Sequence, residues 1–208
     1  AIPIDKARRV VEELLSKGSV AHVWLGLVAQ NLDQSLAGYF GLANTRGMLI
    51  TEVYTDSPAA KAGLRPGDVL LSMEGVPVED REHYLQLLRN YVTGQRLNLA
   101  LLREGRPLSL RAEAGAFPME RVPELAFGRW GLTLAASPQG ALAVAKIRPG
   151  SPAQKLGLQP GDLVLKLGAI VLEKPEDFNE AYARYRMRNS LLLLVVREGR
   201  RYYVKLLI

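Results

Sequence analysis

Short apolar segments, separated by turns that contain glycine or proline, follow one another along most of the chain. Segments 47–55 and 140–148 have the length and the apolar content of buried strands. Each half of the chain also ends in two strand-like segments joined by the turn sequence REGR, which predicts a β-hairpin. The predicted hairpin strands are 96–103 with 106–112, and 190–197 with 200–207.

Other segments place their apolar residues at the spacing of a helix. Tyr84, Leu88 and Tyr91 recur at i, i+4 and i+7, which predicts a helix from about residue 80 to residue 91. The segment after Pro175 has the same spacing, so a second helix is predicted there. Its apolar residues are Phe178, Tyr182 and Tyr185.

One 15-residue phrase occurs twice. Residues 57–71 are SPAAKAGLRPGDVLL and residues 151–165 are SPAQKLGLQPGDLVL, with ten identical positions at an offset of 94. The same offset relates REGR at 103–106 to REGR at 197–200, so the match continues across some 50 residues without a gap. A constant offset over this length indicates a duplicated domain.

Each residue type in the repeated phrase has a local structural role. Ser57 suits a helix N-cap, Pro58 the first helical position, and Gly63 the left-handed position after the helix. The Pro-Gly turn that follows leads through Asp68 into a strand. We therefore expect the phrase to shape the domain and not to contact a ligand.

About five short strands and two helices in each copy of about 90 residues predict a small, partly open β-barrel. The expected fold class is mostly β with short helices (α+β), in two domains. An extra helix is predicted at 32–41, in the first copy alone. Residues 3–18 form an amphipathic pattern with Asp5 as its N-cap, which predicts a further helix before the first domain.

Composition narrows the class of protein. The chain has 208 residues, 48% of them hydrophobic, and no apolar run long enough to span a membrane, so direct membrane insertion is not expected. Cysteine is absent, which excludes disulfides and thiolate chemistry. The net charge of +6 falls wholly in residues 115–208, but no glycine–aromatic motif accompanies the basic residues, so nucleic-acid binding is not expected.

No catalytic constellation is recognisable. The chain has two histidines, and no serine lies in a glycine-flanked turn where a histidine and an acid would activate it. Two distant histidines without cysteine make no metal cluster, and no phosphate-binding glycine loop occurs. We expect no enzymatic activity in this chain, no cofactor and no metal.

The sequence SPAAKAGLRPGDVLLSMEGVPV, followed by a helix and the LREGR hairpin, resembles a bacterial PDZ domain. The order of elements is similar to the permuted PDZ topology of the HtrA/Deg-family (DegP/DegQ-like) serine proteases, and AIPIDKARRVVEEL resembles the end of their protease domain. The resemblance implies a tandem PDZ region of a trypsin-like periplasmic endopeptidase. The expected parts are a connecting helix at 1–19, PDZ domain 1 at 20–114, a linker at 115–127 and PDZ domain 2 at 128–208.

The same resemblance implies a peptide-binding groove. Its loop cradles the carboxylate of a peptide C-terminus, and VWLGLV supplies that loop at residues 23–28. Glycine lets a loop turn several N–H donors toward one point, and a free strand edge beside it accepts an extended peptide. His22 and Val23 stand where the family usually has a basic residue and glycine. The expected groove residues are His22, Trp24, Leu25, Gly26, Leu27, Val28, Tyr84, Leu85 and Leu88.

The second copy offers a shorter version of this loop, so its groove is expected to be shallower. Its residues are Trp130, Gly131, Leu132, Thr133, Phe178 and Tyr182. Trp24 and Trp130 share a place beside the loop glycine, and either tryptophan also suits a core. The resemblance favours a role in assembly over substrate capture for this second domain.

Three functions stay open from the sequence. The first is a regulatory module that captures C-terminal or extended peptides of misfolded envelope proteins and delivers them to a protease domain of the same chain. The second is an assembly module that links subunits into a homo-oligomer without free-peptide capture. The third is the PDZ loop of a membrane-embedded site-2-type protease. The resemblance to HtrA proteins implies a periplasmic or cell-envelope location.

Overall fold

The computed structural model describes residues 23–188 and 190–207. The chain divides into two compact units, with the boundary between Phe117 and Pro118. The predicted helix at 1–19 and the candidate groove residue His22 lie outside the described residues.

The first unit consists of eight strands and three short helices among its described residues. The strands are β1 Val23–Trp24, β2 Leu27–Asn31, β3 Met48–Val53, β4 Val69–Met73, β5 Val76–Pro77, β6 Arg96–Arg103, β7 Arg106–Glu113 and β8 Gly115–Ala116. The helices are α1 Gln34–Tyr39, α2 Pro58–Lys61 and α3 Arg81–Leu88.

Antiparallel pairing orders the main sheet of this unit as β2-β3-β4-β6-β7, with β5 paired to β4. Strand β2 therefore lies at one edge of the sheet and pairs only with β3 among the described strands. The short strand β1 pairs with β8 in a separate two-stranded sheet. Apolar residues of every main strand are buried, among them Leu27, Ile50, Leu70, Leu99 and Ala112.

The second unit repeats this plan. Its strands are β9 Leu132–Ala136, β10 Leu142–Ile147, β11 Leu163–Leu167, β12 Ile170–Val171, β13 Ser190–Arg197 and β14 Arg200–Leu207. Its helices are α4 Val122–Arg129, α5 Pro152–Lys155 and α6 Pro175–Tyr185, preceded by a 3-10 turn at Met119–Arg121. The sheet order β14-β13-β11-β10-β9 makes β9 the counterpart of β2. Neither six-stranded sheet closes on itself, and the predicted class, mostly β with short helices, is confirmed.

The repeated phrase folds identically in both units. Ser57 Oγ accepts a hydrogen bond from the Ala60 N–H at 3.1 Å, and Ser151 Oγ accepts one from Gln154 at 3.3 Å, so each serine is the N-cap of its short helix. Gly63 follows its helix with φ +84°, a conformation that glycine adopts without the steric cost of a Cβ. The predicted structural role of the phrase is therefore confirmed.

Segment 115–127, which the prolines indicate as a linker, contains regular structure. Gly115–Ala116 pairs as β8 with β1 of the first unit, and helix α4 begins at Val122. Pro123 is compatible with this helix because it lies in the first turn, where its missing N–H has no helical acceptor. Val122, Leu125 and Ala126 are buried, so the packing of the second unit stabilises the helix.

Candidate functional site

A turn at Gly26 connects β1 to β2. Gly26 has φ +83°, and a Cβ at this position would lie 2.1 Å from the Cβ of Ser57, so glycine alone fits. The Leu25 carbonyl accepts a hydrogen bond from the Ala59 N–H at 2.7 Å, and the Gly26 carbonyl accepts one from the Tyr54 N–H at 3.0 Å. Both carbonyls of the turn are thereby fixed toward the interior of the unit.

The backbone N–H groups of this turn are candidate donors for a ligand. In a planar trans peptide the N–H points opposite to the preceding carbonyl, so the N–H groups of Gly26 and Leu27 face away from the interior. Within the part of the chain that the structure describes, no backbone carbonyl accepts a hydrogen bond from Leu25 N–H or Gly26 N–H. Adjacent donors of this kind form an anion-binding concavity.

The edge of β2 with which no described strand pairs, called the free edge, continues from this turn. Because Tyr54 donates to Gly26, the facing residues Leu27 and Val53 are a non-hydrogen-bonded pair, and the polar backbone groups of Leu27 point away from β3. Ile50, which faces Ala29, uses both its N–H and its carbonyl toward the β4 side. The N–H and carbonyl of Ala29 therefore also point to the free edge.

Helix α3 lies beside β2 and forms the second wall of the candidate peptide-binding groove. Asp80 caps the helix by accepting a hydrogen bond from the His83 N–H at 2.7 Å. Tyr84 and Leu88 are buried, and Leu85 is half-buried. At the start of the helix, Arg81 Nη1 donates to the Ala29 carbonyl at 3.0 Å, which joins α3 to the edge of β2.

The structure brings together the loop, strand and helix that were predicted to form the groove. Several of the side chains predicted to line the groove are, however, buried in the core. Leu25 and Leu27 are buried, and Val28 is half-buried. Trp24 is buried as well. Its ring lies 5.8 Å from those of Tyr54 and Phe117, so it packs in the core of the first unit.

The second unit has the same turn, but a helix precedes it where a strand precedes the first turn. Gly131 has φ +80°, and a Cβ there would lie 2.0 Å from Ser151 Cβ. The Gly131 carbonyl accepts from Arg148 N–H at 2.7 Å, and the Trp130 carbonyl accepts from Ala153 N–H at 3.1 Å. These bonds make Gly131 the counterpart of Gly26 and Trp130 the counterpart of Leu25. The expectation that Trp24 and Trp130 share one position is therefore wrong.

The amides of this second turn are already bonded. Trp130 N–H and Gly131 N–H both donate to the Ala126 carbonyl, at 2.8 and 3.0 Å. The reason is that helix α4 leads directly into the turn, whereas β1 leads into the first one, so Gly131 closes a helix end. The turn of the second unit thus lacks two of the free donors that the first unit presents.

An aromatic cluster fills the space beside the second turn. The Trp130 ring lies 4.5 Å from the Tyr182 ring and 6.1 Å from the Phe178 ring, and all three are buried. Leu132 is buried too, and Thr133 is half-buried. The buried members of this set, which was predicted to line a second groove, pack as part of the core of the unit.

Sequence reasoning missed Arg81. Its side chain is only 8% exposed, yet it was not placed among the groove residues. The signal was present, because Arg81 precedes Tyr84 by three and Leu88 by seven and therefore shares their helix face. His83, in contrast, accepts a hydrogen bond through Nδ1 from the Glu79 N–H at 3.2 Å, a local contact at the helix start.

The described residues contain neither a metal-ligand cluster nor a membrane-spanning helix. In residues 23–188 and 190–207, no group of three or more His, Asp or Glu side chains is arranged to hold a metal ion. No helix within the same residues is long and apolar enough to span a membrane.

Comparison with known proteins identifies the domain type. Residues 49–103 match the family model of the PDZ domain. The chain is 32% identical over 222 aligned positions to a probable periplasmic serine endoprotease, DegP-like, of Pseudomonas savastanoi, which covers 98% of this chain and 46% of that protein. A protein of the same description from Halomonas elongata is 30% identical over 99% of this chain and 46% of its own length.

Among solved structures, the HtrA-type protease AlgW with a decapeptide is 34% identical and covers 56% of this chain and 36% of its own, with a TM-score of 0.46. The chain spans about half the length of the curated relatives it matches. The family model and the two relatives confirm the resemblance predicted from the sequence: the chain carries a PDZ domain and is related to the DegP-like periplasmic serine endoproteases.

Proposed function

We propose that the first unit captures the C-terminal residues of extended polypeptides by adding them as a strand to β2. The observation that carries this proposal is that no backbone carbonyl of the described residues accepts a hydrogen bond from the Leu25 or Gly26 amide, and that these amides are continuous with the edge of β2. Two or three convergent N–H donors suit a carboxylate, and an exposed strand edge suits the extended backbone that precedes it.

The register of the bound chain follows from the pairing rules. The terminal carboxylate lies against the amides of Leu25, Gly26 and Leu27, which places the last residue opposite Leu27. Because the free polar groups of β2 recur every second residue, the third residue from the end lies opposite Ala29. The half-buried Leu85 of α3 and the loop provide apolar contacts for the side chain of the last peptide residue. A few backbone bonds and one pocket predict micromolar affinity, with Kd about 1–100 μM.

We propose a different role for the second unit. Its turn amides donate to Ala126, and the Trp130 cluster occupies the space beside them, which favours assembly over capture of chain ends. The unit has the basic excess of the chain and contains the exposed tyrosines Tyr202 and Tyr203. A homo-oligomeric parent, linked through this unit, is consistent with these features.

The names of the relatives support a biological setting for this module. These relatives are named as periplasmic serine endoproteases, and the chain spans about half of their length. We therefore propose that the chain is a regulatory PDZ pair of a periplasmic serine endopeptidase. It would hold misfolded envelope proteins by their C-termini for a protease domain of the same polypeptide.

The test compares peptides that differ only at their terminus. Decapeptides with an apolar last residue, as free acids and as C-terminal amides, are titrated against the 208-residue chain by isothermal calorimetry. The proposal predicts at least tenfold weaker binding of the amides, because the charge-assisted hydrogen bonds are lost. Equal binding of the two sets would contradict capture by the carboxylate.

A further inference from the structure

An open cleft of about 580 Å³ lies between helix α2 and the end of strand β7, and we call it the α2–β7 cleft. All of its lining residues belong to the first unit. Its two walls approach closely at one end, where a Cβ added at Gly115 would lie 2.9 Å from Pro58 Cγ. None of the described residues predicted for the peptide groove lines this cleft, so it is a separate feature of the unit. Its volume is in the range of small-molecule sites, about 300–1,000 Å³.

Cations dominate the rim of this cleft. Lys61 comes from α2, and Arg96 and Arg111 come from strands β6 and β7. Glu113 of β7 is the single carboxylate among the described lining residues, so three positive charges and one negative charge give a net charge of +2. A concave surface with one predominant sign of charge concentrates ligands of the opposite sign.

Most of the donors on these cations are unused. The Lys61 ammonium has no hydrogen bond or ion pair with any residue that the structure describes. Arg111 donates through Nε to Asn98 Oδ1 at 3.0 Å, and its two terminal nitrogens have no partner among the described residues. Arg96 lies 3.9 Å from Glu113, and solvent screens this pair because the side chains are 77% and 64% exposed. All three cations can therefore turn toward an anion in the cleft.

The second unit shows that the fold does not require this arrangement. At the constant offset of 94, three cleft positions are occupied by different residues: Leu156 for Ala62, Met187 for Thr93 and Ser190 for Arg96. Two of these replacements are larger and apolar, and the third removes a cation. Met187 is 5% exposed, so it packs in the core of the second unit. The room and the charge of the α2–β7 cleft thus belong to the first unit and not to the repeated scaffold.

We propose that the α2–β7 cleft binds a small molecule that carries a phosphate monoester. The charge of such a group is about −2 at neutral pH, which matches the net charge of the rim. The free end of the Arg111 guanidinium suits two phosphate oxygens, and Lys61 supplies a point charge from the opposite wall. A phosphate group fills only part of the cleft, and the rest takes the organic part of the ligand against Pro58 and Ala62.

The experiment titrates the 208-residue chain with glycerol 2-phosphate and follows the backbone amides by NMR. The amide signals of Ala62, Gly94 and Ala114, which line the cleft, are expected to shift and to saturate together. The expected Kd is about 0.1–1 mM, because a few charge-assisted bonds in an open cleft must offset the cost of association. Glycerol, which has the same organic part without the phosphate, is expected to leave these signals in place.

Four variants assign the binding to the rim of the cleft. Lys61→Met and Arg111→Gln each remove one exposed cation, and each is expected to weaken binding by about fivefold. Glu113→Gln removes the repelling carboxylate and is expected to tighten binding by about two- to threefold, a gain that a purely structural role would not produce. Lys155→Met changes the equivalent exposed lysine of the second unit, at the end of α5, and is the matched control with unchanged binding.

Two further ligands identify the source of the phosphate group. Inorganic phosphate is expected to bind more weakly than glycerol 2-phosphate if the organic part contacts the cleft. Sedimentation with phosphatidic acid vesicles that is lost in Lys61→Met and kept in Lys155→Met would support the same site with a lipid as the source. Absence of saturation at about 20 mM glycerol 2-phosphate overturns the proposal. Equal weakening by Lys61→Met and Lys155→Met also overturns it, because binding would then follow the overall charge of the chain.

Discussion

Arg103 binds Asp68 through two hydrogen bonds, from Nε to Oδ1 at 2.6 Å and from Nη2 to Oδ2 at 2.8 Å. The second unit repeats this ion pair between Arg197 and Asp162, at 2.6 and 2.7 Å. In the first unit Arg103 Nη2 also donates to the Gly63 carbonyl at 2.7 Å. The pair therefore connects the repeated phrase to the REGR hairpin, which explains why both keep one offset.

Replacement of Asp68 by Asn tests this connection. Asp68 is 1% exposed and also accepts a hydrogen bond from the Arg65 N–H at 2.8 Å, so an amide would lose charge-assisted bonds at a buried position. We expect Asp68→Asn to lower the free energy of unfolding of the first unit by about 2 kcal/mol. Urea unfolding at neutral pH measures the change.

The control is an exposed ion pair in the same unit. Arg96 and Glu113 are 3.9 Å apart, with side chains 77% and 64% exposed. Glu113→Gln is expected to change the free energy of unfolding by less than about 0.5 kcal/mol, because solvent screens such pairs. Similar effects of Asp68→Asn and Glu113→Gln would contradict the importance of the buried pair.

A fall in pH should lower the folding stability of the second unit, because Asp162 becomes protonated. Burial raises the pKa of Asp162, but hydrogen bonds from Arg197 and from the Gln159 N–H, with the charge of Arg197, outweigh it and hold the pKa below the ordinary value of 3.8. A carboxyl with a lowered pKa stabilises the fold above its unfolded pKa, and this contribution disappears as the pH falls through the folded pKa.

The expected result is a pH-dependent difference between the unmodified chain and Asp162→Asn. At about pH 6 the variant is less stable, and the difference shrinks progressively below about pH 4. Urea unfolding followed by the fluorescence of Trp130, which is buried in this unit, measures it at each pH. A difference that stays constant down to about pH 2 would show that the Asp162 ionisation does not contribute.

Much of the fold follows from local pattern. The hairpin strands were predicted to within one residue, since alternation and the REGR turn fix both ends. The helix predicted at 80–91 is shorter, Arg81–Leu88, because the N–H groups of Asn90 and Tyr91 donate to the carbonyls three residues before them and so end the helical bonding. The helix predicted at 32–41 is likewise shorter, at Gln34–Tyr39.

The site was less predictable, because the partners of its side chains and amides come from residues distant in sequence. The Arg81–Ala29 bond joins residues 52 positions apart, so the helix spacing can indicate the face of Arg81 but not its partner. The state of the two turns depends on the segment before each glycine. After strand β1, the amides of Leu25 and Gly26 have no backbone acceptor among the described residues, whereas those of Trp130 and Gly131 donate to helix α4. That helix was not predicted, because the prolines of the segment indicated a linker.

The two tryptophans can report which unit binds. Trp24 lies two residues before Gly26 and packs against Tyr54, whereas Trp130 belongs to the core of the second unit. With Trp130→Phe, the remaining Trp24 emission is expected to change on titration with a free-acid decapeptide. With Trp24→Phe, the emission of Trp130 is expected to stay constant. A response from Trp130 alone would assign capture to the second unit.

Proline at the free edge of β2 should block strand addition without breaking the sheet. The Ala29 N–H points away from β3, so Ala29→Pro removes a donor that only an added strand would use. We expect Ala29→Pro to weaken binding of a free-acid decapeptide by at least about tenfold, since one backbone bond and the space for the peptide are both lost. Calorimetry measures the affinity, and thermal unfolding verifies the fold.

Leu134→Pro in β9 is the matched control for this change. Leu134 faces Val144, whose N–H and carbonyl bond toward the β11 side, so Leu134 holds in the second unit the edge position that Ala29 holds in the first. We expect Leu134→Pro to leave peptide affinity unchanged, because the second turn has no free amides at Trp130 and Gly131 for a carboxylate. Loss of binding in Leu134→Pro with full binding in Ala29→Pro would move the receptor to the second unit and contradict the assignment of capture to β2.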